Sequence, residues 1–161
     1  MLKKWMTILL GIAMLMGVAC AEGPVLLVKL PDEAQMIENI EFDDGDFIQT
    51  YQLPEGVSVK VLRYASFDMT LEDLAEGEWN GYLSAEPMGI ESIDGFAAHG
   101  LRVRYEQEGM YDVYMIRIDV QDQVLLFEAV FPESISSEAA QQIPAWIQEM
   151  RISVIGEEDL G

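Results

Sequence analysis

Four side chains in the second half of the chain have the types and spacing for anion chemistry: Arg102, Arg104, Arg117 and Glu128. Guanidinium groups gathered on one surface bind a small anion or the carboxylate of a partner, because each offers a planar fork of donors. The competing reading is structural, with the arginines paired to Glu128 and to carboxylates on a covering helix. A second candidate is "DDGD", where Asp43, Asp44 and Asp46 could offer oxygen ligands to calcium. No EF-hand spacing accompanies them, so the alternative is an Asp-Gly turn with solvated carboxylates. His99 is the single histidine, which excludes a multi-histidine zinc site, and no G-x-S-x-G elbow or Gly-rich phosphate loop is present. A glycosidase-type carboxylate pair has many candidates and nothing that singles out two.

Cys20 poses a different question, because it ends an export-like segment: Lys3 and Lys4, an apolar run over residues 5–19, then small residues. The run is short for a spanning helix, which needs about 20 apolar residues. Ala19 and Ala21 supply the small side chains that signal peptidase needs, so residues 1–21 are expected to be a signal peptide removed before Glu22. Lipidation at Cys20 is the alternative, although that route favours Leu, Ile or Val where this chain has Gly17. An uncut helix is the third outcome. Removal would leave a chain without cysteine, held by packing alone in an oxidising compartment. The chain has nine Lys and Arg, 29 Asp and Glu, and a net charge of −20. Without Lys3 and Lys4, seven cations would face those 29 acids, a formal −22. Such a balance repels phosphate backbones and excludes a nucleic-acid partner. Basic proteins and cations remain open.

The elements that must position these residues are mostly strands. Apolar alternation predicts strands over 25–30, 37–42, 47–53 and 57–65, with a hairpin at Gly45, and a meander over 96–105, 111–120 and 124–131. Thr70 with Asp73 reads as a capping box before a helix carrying Leu71, Leu74, Ala75, Trp79 and Tyr82. A second helix is expected over 137–152, with Ala140, Ile143, Ile147 and Met150 on its apolar stripe and a kink at Pro144. Trp79 and Trp146 read as core anchors. Residues 22–155 then form one domain, with 156–161 as an acidic tail.

If Glu108-Gly109 and Gln121-Asp122 are two-residue turns, positions 102, 115 and 128 fall in one row and 104, 113 and 130 in the next. The core face would then carry Leu101, Val103, Tyr105, Tyr114, Ile116, Ile118, Leu125, Phe127, Ala129 and Phe131. Arg102, Arg104, Arg117 and Glu128 would share the other face with Val113, Met115, Leu126 and Val130. Apolar content on both faces, with one helix before the meander and one after, predicts an α+β fold: an antiparallel sheet covered by helices.

The order of a hairpin, a helix at "MTLEDLAEGEWNGYL", the meander "GFAAHGLRVRYEQEGMYDVYMIRIDVQDQVLLFEAVFPE" and a helix at "AAQQIPAWIQEMRISV" resembles the PsbP-like α/β/α sandwich family. That family includes an extrinsic subunit of photosystem II, a Ran-binding import factor and many exported bacterial proteins. The likeness runs over about residues 25–155 and includes the small-residue strand "IDGFAAHG". It implies a mostly non-enzymatic module that docks to partners, and it offers no functional residue to carry over. The expectation is therefore an exported, non-catalytic interaction module, secreted or at the outer face of the cytoplasmic membrane. Its partner would be a protein or small ligand, with membrane contact only through a signal anchor or a lipid on Cys20. No cofactor is expected, calcium at Asp43, Asp44 and Asp46 being the one candidate ion. The alternatives are a carboxylate-based or metal-assisted extracellular hydrolase and a lipid-anchored assembly factor.

Overall fold

The computed structural model describes residues 23–65 and 70–155. The expected signal peptide 1–21 with Cys20, and the acidic tail 156–161, lie outside the described residues. The expected hairpin is present: β2 (Gln35–Glu41) and β3 (Phe47–Gln52) pair antiparallel across a turn in which Gly45 takes a φ of 90°. A 3₁₀ turn at Pro54–Gly56 leads into β4 (Ser58–Ala65). Helix α1 (Leu71–Glu78) begins with the predicted capping box: Thr70 Oγ1 accepts from the Asp73 amide, and Asp73 Oδ2 accepts from the Thr70 amide, each at 3.1 Å.

Two short strands follow that periodicity did not foretell, β5 (Ser84–Pro87) and β6 (Ser92–Ile93). The meander is β7 (Phe96–Glu106), β8 (Met110–Val120) and β9 (Gln123–Pro132). Helix α2 (Ser136–Glu149) runs on through Pro144, which is exposed, and stops short of the expected end. Met150 turns extended at ψ 135°, and the β-branched "RISVI" becomes a further strand, β10 (Arg151–Ile155). β10 pairs with β1 (Gly23–Leu27) in a separate two-stranded sheet.

The main sheet runs β2-β3-β4-β9-β8-β7-β5, with β6 attached to β7. Alternate residues of its strands feed two cores, as strand geometry requires. On one face Ile116, Ile118, Phe127 and Phe131 pack with Ile143, Trp146 and Met150 of the α2 region. On the other, Leu101, Val103, Val113 and Met115 pack with Leu71 and Ala75 of α1. Ala139, not Ala140, joins the buried stripe of α2, together with Trp146. Helix α1 touches β7 and β8, while α2 touches β8 and β9. The architecture is therefore sheet-dominated, an α+β fold with one helix against each face over the meander.

One hairpin departs from the expected register. β8 and β9 pair as predicted, with Met115 opposite Glu128 and Val113 opposite Val130. Between β7 and β8, however, Glu106 pairs with Met110, and Arg102 lies opposite Tyr114 rather than beside Met115. The loop has three residues because the Gln107 amide donates to the Gly109 carbonyl at 2.9 Å, with Glu108 at φ 53°. One extra loop residue turns every side chain of β7 to the opposite face. Leu101, Val103 and Tyr105 thus belong to the α1 core, and Arg102 and Arg104 leave it.

Candidate functional site

The register divides the four residues expected to act together. Arg102 and Arg104 lie on the α2 side of β7, whereas Arg117 and Glu128 lie on the α1 side of β8 and β9. Both of the former converge on Asp112, whose side chain is 1% exposed: Arg102 Nη2 reaches Oδ2 at 3.3 Å and Arg104 Nε reaches Oδ1 at 3.2 Å. Arg104 also extends Nη2 to Glu133 at 3.5 Å, and Arg102 sits over the Tyr114 ring at 5.7 Å. Arg117 donates to Asp119 Oδ1 from Nε at 3.1 Å and from Nη2 at 3.0 Å. Each arginine is thus engaged by carboxylates of its own chain: Arg102 by Asp112, Arg104 by Asp112 and Glu133, and Arg117 by Asp119.

Glu128 anchors a different cluster. It lies on β9 between Lys60 of β4 and Met115 of β8, with 2% exposure. Burial, reinforced by Glu78 of α1 and opposed by Lys60, pushes its carboxyl up to about 8. At neutral pH it keeps its proton, with Glu78 as the neighbouring carboxyl. Lys60 Nζ in turn meets Glu78 Oε1 at 3.2 Å. Aromatic rings line the same face: Trp79 stacks on Tyr105 at 4.5 Å, and Tyr105 on Tyr111 at 5.3 Å. Burial first raises the Tyr64 and Tyr105 hydroxyls to about 12, with Glu78 next at Tyr64 and Tyr111 next at Tyr105. Glu128 Oε2 and Trp79 Nε1 are buried without a hydrogen-bond partner among the described residues. Chemically the cluster holds a proton on one buried carboxyl. Lys60 and Glu78 escape a linear reading, since Lys60 meets Glu128 only through the long-range pairing of β4 with β9.

The "DDGD" turn is organised from within. The Asp46 amide donates to Asp44 Oδ1 at 3.1 Å, and the Phe42 amide donates to the Asp46 carbonyl at 2.9 Å. Beneath it lies Arg63, a residue the linear pattern did not single out, with no exposure to solvent. Its Nε and Nη2 donate to the Gly45 carbonyl, its Nη1 donates to the Pro24 carbonyl at 3.1 Å, and its guanidinium covers the Phe47 ring at 5.0 Å. Asp43 and Asp44 are exposed, and among the described residues no three His, Cys, Asp or Glu side chains converge as a metal site would require. His99 is exposed on β7 opposite Arg117. No helix among the described residues is long and apolar enough to cross a membrane.

No family model matches this chain, and no curated protein does. Among solved structures, the cyanobacterial PsbP protein CyanoP of Synechocystis sp. PCC 6803 is similar at 12% identity. The match covers 85% of this chain and 96% of that one, with a TM-score of 0.50. LpqN, involved in cell envelope biogenesis of Mycobacterium tuberculosis, aligns at 14% identity over 84% of this chain and 87% of its own (TM-score 0.49). A Pseudomonas aeruginosa protein of unknown function, PA94, aligns at 17% identity over 75% and 87% (TM-score 0.48). The structural match to CyanoP at this coverage identifies the fold of this chain as PsbP-like.

Proposed function

We propose that this protein is an exported, non-catalytic interaction module of the cell envelope or extracellular space. The observation that carries the reading is the internal use of its cations: Arg102 and Arg104 close on Asp112, and Arg117 on Asp119. What the chain then offers to solvent is acidic, which suits a basic protein partner. Glu128, the group best tuned to act as an acid, is 2% exposed and so lies where no substrate would touch it. In this reading the helices serve as outer layers of an α/β/α sandwich, protecting the sheet faces and leaving edges and turns for docking.

Export is tested by the intact mass of the protein recovered from membrane, medium and cytoplasm. A mass beginning at Glu22 means release, and a diacylglyceryl mass on Cys20 means anchoring; both agree with the reading. Recovery solely as the uncut chain in the cytoplasm overturns it. The non-catalytic half fails if a hydrolase panel yields turnover that Glu128→Gln abolishes.

A further inference from the structure

The free edge of the main sheet is unusual in what it leaves uncovered. β2 ends the strand order, and every residue in it except Met36 is exposed. Of the five large apolar side chains most exposed among the described residues, three are on or beside it: Ile37 at 61%, Ile40 at 39% and Phe42 at 49%. The opposite edge is closed off differently, since β5 has four residues and ends in Pro87, which has no N–H to offer. A long edge with unpaired backbone groups and exposed apolar side chains is a template for another strand.

Charge selects the occupant. Glu33, Glu38, Glu41, Asp43 and Asp44 are all exposed around this edge, and residues 30–59 contain no lysine or arginine. A second copy would set these acids against their own equivalents, which costs energy directly across a strand pair. A segment alternating basic and apolar residues would instead set its cations against Glu41 on one face and its apolar side chains over Ile40 on the other. The bulge between Met36 and Glu38 breaks the ladder at Ile37 and confines addition to the straight part, Glu38–Glu41.

We infer that β2 takes up an extended, basic segment of a partner protein as an added strand along Glu38–Glu41. This rests on the reading of the protein as an interaction module and names the partner's chemistry. The test uses the exported protein and a fluorescent peptide of about eight residues alternating lysine and valine, roughly the length of β2 at about 3.3 Å per residue. A control peptide keeps every lysine and replaces alternate valines with proline, so charge is held while strand formation is lost. The expected result is binding of the alternating peptide with hydrogen-exchange protection gained in β2. The proline peptide and the Glu41→Lys variant should each bind about tenfold more weakly or worse. Equal binding of both peptides, protection elsewhere, or no binding overturns the strand-addition proposal. Cross-links from other surfaces to an envelope protein would leave the module reading intact in that event, whereas purely cytoplasmic recovery defeats the module reading whatever the peptide does.

Discussion

Arg63 grips the carbonyl of Gly45, eighteen residues earlier, from a position with no contact with water. The same guanidinium reaches the Pro24 carbonyl, so one side chain ties β1 and the β2–β3 turn to β4. Replacing it with leucine removes the donors from both carbonyls. The expected cost of Arg63→Leu is about 3 kcal/mol by urea denaturation. Arg63→Lys should recover little of it, because a single ammonium lacks the fork that spans both acceptors.

Glu128 should make stability fall with rising pH. Unfolded, its carboxyl ionises near 4.5, whereas in the fold burial and Glu78 hold the proton until about 8. Between these values the native state binds the extra proton, so stability declines through that window and levels off above it. Glu128→Gln should flatten the decline, raising Tm at pH 9 more than at pH 5. A parallel pair of Tm–pH curves would contradict this assignment.

Asp112 has two cationic partners, and either should suffice. Arg102→Ala and Arg104→Ala are each expected to cost less than about 1 kcal/mol, since the remaining arginine still neutralises the buried acid. The double variant strands a carboxylate that is 1% exposed and should cost about 3 kcal/mol, more than the sum of the singles. A double-mutant cycle by chemical denaturation reads the difference.

Gly100 marks where β7 is crossed by the segment leading from β5 to β6. A Cβ there would lie 2.7 Å from Ile90 Cδ1 and 2.9 Å from Met88 Cβ. Gly100→Val should therefore destabilise by about 1–3 kcal/mol through overpacking, and Gly100→Ala by less. Thermal melts of the two variants rank them.

Most of the architecture can be read from local pattern, and the failures are local too. Gln121-Asp122 joins β8 to β9 as a two-residue loop, and that register follows directly. Glu108-Gly109 looks like the same device, yet Gln107 joins the loop, and this one residue moves Arg102 and Arg104 away from Glu128. β10 escapes notice because "RISVI" continues the apolar spacing of α2 and becomes a strand only by pairing with β1. Thr70 and Asp73, by contrast, are three residues apart, and their capping box is legible at once. Arg63, Lys60 and Glu78 are ordinary charges in one dimension; what makes them matter is the pairing of β4 with strands distant in sequence.

Gly23 and Ile155 are direct neighbours in the β1–β10 ladder. A splice of a few residues between them would make the domain a closed ring, which could be reopened at an exposed bend such as Gln121-Asp122 without removing an element. The order in which the ribosome delivers the strands is thus separable from the shape they make, and circularly permuted versions offer a route to display the domain from either side.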